Sequence, residues 1–264
     1  MTQDMSRRLD FMPSYKAAES IARTGIAIVP VGAIEPHGRH APLGSDTFIA
    51  NEIAERLARA VDAVVFPPMP LGVMNVGYDF RYLPGTISID SDILIALYTN
   101  IGRELGRSGV RRLVFVNGHG PNAAVLGISA YQIRDQADVQ VGLLEWWTTS
   151  DAEIKAIKGY SFGTHGDEIE TSLILTTAEA KSVDLEDVVI NSPTLDRLSP
   201  GETALYHAKV PFTRTLDERW IGTDGNMGDP TKATREKGER IIDKAIAVGI
   251  QLVEVLAEQA TRPR

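Results

Sequence analysis

The chain of 264 residues contains no cysteine. That absence excludes disulfides, thiolate metal sites and a cysteine nucleophile, so any metal must be held by imidazole and carboxylate. Histidine is scarce too, with five in the whole sequence. Positive charge is in deficit: a formal net charge of −8 argues against a polyanion, and so against nucleic acid, as the main partner. No run of about 18 apolar residues occurs, and the opening MTQDMSRRLDFMPSYKAAES lacks the apolar stretch of a signal peptide. The expectation is a cytoplasmic protein with no membrane partner. There is no internal repeat or low-complexity segment. With 43% hydrophobic residues the chain is long enough for one large core, so a single domain over 1–264 is expected.

Short β-rich apolar runs alternate with longer segments of helical period, the signature of an α/β fold with a mostly parallel sheet. Strands are expected at 25–34, 63–72, 111–120 and 139–147. Helices are expected at 47–61, with Ile49, Ile53, Leu57 and Val61 in one stripe, and at 91–109, with Leu94, Leu97, Ile101 and Leu105. Further helices are expected at 121–136, 165–180 and 229–259, whereas 181–228 lacks clear period and reads as a long functional loop.

The segment EPHGRHAPLGSD, residues 35–46, concentrates two of the five histidines. Glu35 and His37 lie two apart just past an expected strand and so project to the same side. Gly38 and Pro42 bend the loop and bring round Asp46, just before a helix beginning at Thr47. The alternative is a capping Asp46 with His37 and His40 as ordinary loop groups. His119, in NGHG after the strand LVFVNG, belongs at the same sheet edge, where α/β proteins bind ligands. A phosphate cradle there would call for GxGxxG or a GKS/GKT sequence, and neither is present. In HGDEIETSLIL, Glu170 shares the apolar face with Leu173, Ile174 and Thr177. A carboxylate there is costly unless paired, metal-bound or turned back in a capping box. His165 precedes that helix and reaches the same pocket. Five ligands, Glu35, His37, Asp46, His119 and Glu170, one of them able to bridge, suit two divalent ions about 3.5–4 Å apart better than one closed structural zinc.

The ordered set VPVGAIEPHGRHAPLGSD, LPGTIS, NGHGPN, HGDEIETS and GNMGDPTKATREKGE resembles the creatininase (creatinine amidohydrolase) family over nearly the whole chain. The resemblance implies a three-layer α/β/α sandwich, homo-oligomers that are commonly hexamers, and a binuclear site holding zinc, manganese or iron. It further implies that Glu35 and His119 hold one ion, His37 the other and Asp46 bridges them, with His165 as the proton shuttle. The chain also departs from the pattern. Creatinine-cleaving members carry an acidic ligand two residues after the NGH histidine, where this chain has Pro121, and Glu170 becomes the candidate replacement. Many members carry a histidine shortly before PGT, where this chain has Phe80 and Arg81, so the substrate pocket is expected to be rebuilt. His40, Tyr78, Arg81, Tyr82, Trp146 and Trp147 are the candidates to line it. The alternatives are a subunit contact for the tyrosine–arginine loop and core packing for the tryptophans.

The expected function is a hydrolase that opens the ring of a small polar cyclic substrate with metal-activated hydroxide, His165 delivering a proton to the leaving atom. The default is a cyclic amide C–N bond. The alternatives are C–C hydrolysis of a cyclic β-diketone such as a diketo-inositol, and a metal-binding protein without turnover.

Overall fold

The computed structural model describes residues 7–74, 81, 83–158, 165–190 and 224–260. Four parallel strands form the central sheet: β1 (Ile26–Val31), β2 (Val64–Val65), β3 (Arg112–Asn117) and β4 (Gln140–Glu145), in the order β2-β1-β3-β4. Around them run α1 (Ser14–Thr24), α2 (Ser45–Val61), α3 (Ser91–Arg107), α4 (Asn122–Ala137), α5 (Trp146–Thr149), α6 (Asp151–Lys158), α7 (Glu168–Ile174) and α8 (Arg235–Ala260).

The three layers follow from the alternation of side chains along the strands. Ile26 and Ile28 of β1, with Val114 and Val116 of β3, pack against α2, α7 and α8 through Ile49, Ile53, Ile169, Leu173 and Ile241. The intervening Ala27, Val29 and Val31, with Leu113 and Phe115, pack on the other side against α1, α3 and α4 through Ile21, Leu94, Tyr98, Val125 and Leu126. Every residue of β1 is buried, as a central parallel strand covered on both faces requires. Ile49, Ile53 and Leu57 lie in the core as their spacing predicts, with Val61 half-buried at the helix end.

The connection from β1 runs out to β2, after which the chain returns to place β3 on the other side of β1. The helix following β1 lies on one face and the helix following β3 on the opposite face. The strand order therefore reverses between β1 and β3, and the crevice beyond their carboxyl ends is where open α/β sheets take ligands.

Several boundaries differ from the sequence reading. The strand expected at 63–72 is two residues long, because Pro67 and Pro68 cannot donate to a ladder; beyond them only the isolated bridges Val31↔Met69 and Gly72↔Ser88 continue the pairing. The helix expected at 165–180 covers Glu168–Ile174. Past it the hydroxyls of Thr176 and Thr177 donate to Leu173 O and Ile174 O, 2.6 and 2.8 Å away, replacing helical continuation with side-chain bonds. The strand expected to include Trp146 and Trp147 ends at Glu145, and Trp146 opens α5. Helices α1 and α6 have no counterpart in the sequence reading. Each buries a single apolar residue, Ile21 or Ile154, too weak a stripe to register. The segment expected to be loop ends earlier than 228, since Met227 pairs with His165; residues 191–223 lie outside the described residues. Among the described residues no helix is long and apolar enough to cross a membrane.

Candidate metal centre

Two glycines let the candidate ligands converge. A Cβ on Gly32 would fall 2.3 Å from Thr47 N, and one on Gly118 would fall 2.1 Å from Asp46 O. Only bare backbone at these positions lets the first turn of α2 nest between the ends of β1 and β3. Asp46 consequently lies inside that first turn, with Gly44 as the cap residue, rather than ahead of the helix as the sequence suggested. Glu35 and His37 sit in irregular chain past β1, not in strand. Their loop is held by Glu35 N–H donating to Leu43 O (3.0 Å) and Gly38 N–H donating to Asp224 O (2.9 Å). His119 follows β3, its N–H bonded to Asn117 Oδ1 at 3.1 Å. Glu170 comes from α7, which Asp167 caps by accepting from Ile169 N and Glu170 N.

These elements bring Glu35, His37, Asp46, His119, His165 and Glu170 together, each no more than 7% exposed. Their donor atoms form overlapping triads. Glu35, Asp46 and His119 make one, and His37, Asp46 and Glu170 a second, with donor atoms in each within 4.8 Å of one another. Glu35, His37 and His165 meet the same condition. Asp46 belongs to both of the first two triads and divides its oxygens between them. Its Oδ1 lies 3.0 Å from His37 Nε2 and its Oδ2 3.0 Å from His119 Nδ1.

The backbone dictates which face each imidazole turns to the pocket. A carbonyl only accepts, so the ring nitrogen facing it must carry hydrogen. His37 Nδ1–H donates to Glu35 O at 3.0 Å, His119 Nε2–H to Val73 O at 3.0 Å and His165 Nε2–H to Pro36 O at 2.8 Å. Each remaining nitrogen faces carboxylate oxygen. His119 Nδ1 is 2.8 Å from Glu35 Oε1, His37 Nε2 is 3.5 Å from Glu170 Oε2, and His165 Nδ1 is 3.9 Å from both Glu35 Oε1 and Glu170 Oε2. A lone pair aimed at a carboxylate repels it unless a cation intervenes, and that cation is either a proton on the ring or a metal ion. Tying the second nitrogen to a carbonyl is also how metal-binding histidines are oriented. The buried Oε2 of Glu35 finds no hydrogen-bond donor among the described residues, so acceptor capacity remains for such an ion. The set fits divalent metal with nitrogen and oxygen ligands.

Protons on the rings can fill that role. Burial opposes charging of His37, yet Asp46, Glu170 and Glu35 together raise its pKa to about 10. His119 is likewise driven well above the ordinary histidine value by Glu35 and Asp46, against burial. Burial opposes ionisation of Asp46, but the two histidine cations hold it well below the usual carboxylate range. Glu170 is pushed up to about 8 by burial, partly offset by His37, and Glu35 is also raised by burial. His165 differs: burial and then the His37 charge push it down to about 3. The ring is therefore neutral in these surroundings.

The residues expected to line a substrate pocket fare unevenly. His40 is 1% exposed, and its Nε2 is 2.9 Å from Thr171 Oγ1, so it braces the ligand loop against α7. Trp146 is 1% exposed and belongs to the core with Ile154 and Leu173, which accords with the core-packing alternative. Trp147 is half-buried and sits edge-on to it, ring centroids 5.4 Å apart. Arg81 is exposed, and Tyr78 and Tyr82 lie outside the described residues. Pro121 caps α4 and offers no ligand, while Glu170 reaches the second triad. Glu170 Oε2 also accepts from Gly166 N at 2.6 Å, close to the capping-box alternative.

Sequence reasoning missed three supports. Asn122 donates to Gly32 O and accepts from Val73 N, binding the β3 exit to its neighbours. Lys158 pairs with the buried Asp167 beneath α7. Asn117 holds His119 from one side and Glu145 from the other. Asn117 and Asn122 lie within NGHGPN, so the motif was the available signal; nothing marked Lys158.

Known proteins share this chain's sequence pattern and its fold. The chain is 32% identical over 231 residues to the mycofactocin precursor peptide peptidase of Mycolicibacterium smegmatis, covering 84% of this chain and 81% of the relative. It is 28% identical over 166 residues to the 3-dehydro-scyllo-inosose hydrolase of Thermotoga maritima, covering 61% and 53% of the two chains. A crystal structure of creatinine amidohydrolase (creatininase) superposes with a TM-score of 0.79 at 26% identity, covering 98% of this chain and 99% of that one. The family profile described as Creatininase, creatinine amidohydrolase, matches residues 11–253, and the chain belongs to that family of hydrolases.

Proposed function

We propose that this protein is a binuclear metal-dependent hydrolase that opens the ring of a small polar substrate at a cyclic amide C–N bond. Glu35, Asp46 and His119 would hold one divalent ion and His37, Asp46 and Glu170 the other, with zinc, manganese or iron suiting the donors. The observation carrying this reading is the division of the Asp46 oxygens between two triads of buried ligands. When bound, such ions supply Lewis-acid polarisation of a carbonyl and acidification of water. The chain's own contribution is orientation and proton handling. The bond from His165 Nε2–H to Pro36 O fixes the ring and leaves Nδ1 as a lone pair beside the ligands. That atom takes a proton and delivers it to the leaving nitrogen.

A second reading, C–C hydrolysis of a cyclic β-diketone, draws support from the likeness to an inosose hydrolase. The likeness to a precursor peptide peptidase brings linear amides into the same assay. Purified protein is expected to hold two divalent ions per chain by elemental analysis and to turn over one class in a panel of lactams, cyclic ureas, cyclic diketones and short peptides. His165→Ala is expected to abolish that turnover while leaving both ions in place. Active protein free of metal would refute the proposal, and metal-loaded protein inert toward the whole panel would favour a binding protein.

A further inference from the structure

The sheet edge that carries the ligands bears one more carboxylate, which the metal set does not use. Glu145 closes β4 directly beside Asn117 of β3 in the parallel register. Its Oε1 accepts from Asn117 Nδ2 at 3.2 Å and its Oε2 from Thr148 Oγ1 at 3.4 Å. Asn117 is fully buried and uses its other side-chain atom to hold His119 N, so Glu145 stands one side chain away from the ligand cluster.

What distinguishes Glu145 is the company it lacks. The buried acids Glu35, Asp46, Asp167 and Glu170 each face a histidine or lysine. The half-buried Glu52, Glu168 and Glu239 each face an arginine or lysine. Among the described residues Glu145 has only an amide and a hydroxyl as side-chain partners, and no cation offsets its burial. A carboxylate offers about four acceptor positions, so two remain open. Partial burial without a countercharge raises the cost of the ionised form, and a cation arriving with its own hydrogen-bond donors relieves that cost.

We propose that Glu145 is a specificity-determining residue that recognises a cationic, donor-rich group, an ammonium or amidinium, on the molecule entering the crevice. The assignment rests on the reading above that this crevice takes substrate, and it adds the charge that substrate carries.

Benzylammonium and the neutral benzyl alcohol, matched in shape, separate charge recognition from apolar contact. Titrated into metal-loaded protein and followed by calorimetry, the ammonium is expected to bind more tightly by on the order of tenfold, the low end for a charge-assisted hydrogen bond at a half-exposed site. Glu145→Gln keeps an acceptor for Asn117 Nδ2 and removes the charge, and it is expected to erase the preference while the metal content stays that of the wild type. Equal binding of both probes to the wild type, no binding of either, or an unchanged preference in the Gln variant overturns the proposal. So does loss of metal in that variant, which would make Glu145 a brace for His119 instead. Neither probe is turned over, so absence of hydrolysis leaves this test intact. A preserved preference in protein that never holds metal would refute the hydrolase reading alone.

Discussion

Protons and metal ions compete for the same nitrogens in this pocket, and the competition sets a measurable pH dependence. Without metal, His37 has a pKa raised to about 10 and His119 one well above the ordinary value, so both rings are cations at pH 7. The protons sit on His37 Nε2 and His119 Nδ1, the atoms facing Asp46, Glu35 and Glu170, because the opposite nitrogens are committed to carbonyls. Filling both triads displaces two protons. Each changes the apparent affinity about tenfold per pH unit, so the pair gives roughly 100-fold, or about 2.7 kcal/mol, between pH 6.5 and 7.5. Glu170, at about 8, adds a third proton over part of that range and steepens the slope. Calorimetric titration of chelator-treated protein in buffers of different ionisation heat counts the protons released. The expected value is between two and three per chain filled, and a pH-independent affinity with no proton release would refute the account. Stability follows with a defined sign. The folded pKa of His37 lies above its unfolded value, as does that of Glu170, so their contribution to the metal-free fold is complete below the unfolded values of about 6.5 and about 4.3. It is lost as pH rises through about 10 and about 8 respectively. Metal-free protein therefore melts at lower temperature at pH 9 than at pH 6, and the gain on adding metal widens over the same interval.

Three further outcomes are expected. Lys158→Met strands Asp167, 1% exposed in its side chain, without its cation and costs about 3–5 kcal/mol in urea unfolding; a change below ~1 kcal/mol would mean Asp167 is adequately served by its helix-capping bonds. Gly118→Ala places a methyl 2.1 Å from Asp46 O, so the start of α2 must move; metal content per folded chain is expected to fall sharply, and full metal content would show that the nest relaxes without disturbing Asp46. On α3 and α4, Ile93, Ile128 and Tyr131 are 55%, 48% and 76% exposed, so an assembly of copies, if formed through this face, would bury them. Ile128→Asp is expected to shift the mass measured by light scattering to a smaller species, and a monomeric wild type would remove the premise.

Legibility in the sequence tracked how locally each feature is determined. Helix α2 and strand β3 were visible because the 3.6-residue stripe of Ile49, Ile53 and Leu57 and the run Leu113–Val116 each face a core that their own spacing announces. β2 was overestimated because Ala63–Phe66 looks like strand while the two prolines after it carry no donor. The side Trp146 faces was left open for a different reason. The turn from β4 into α5 occurs at that residue, and which way a side chain faces after such a turn depends on the packing of α6 and α8, not on alternation along the strand. Glu145, one residue earlier, escaped notice because its meaning lies in what surrounds it, an amide and a hydroxyl where the other acids have cations.

Glu170 shows how far local reading carries. Pro121 offers no carboxylate at the start of α4, whereas Glu170 stands out in the sequence because a charged residue on an apolar face demands a reason. The structure supplies its surroundings: Glu170 Oε2 lies 3.5 Å from His37 Nε2, on a short helix whose first turn is capped by Asp167. Such a seven-residue helix has little intrinsic stability, so its placement depends on tertiary anchors. His40 reaches Thr171 from the ligand loop, Lys158 holds Asp167 from α6, and Gly228 packs against Asp167 where a Cβ would approach within 2.5 Å. These anchors come from three separate parts of the chain and leave no periodic trace. Sequence could therefore nominate the carboxylate, but the precision with which it meets His37 is a property of the assembled layers.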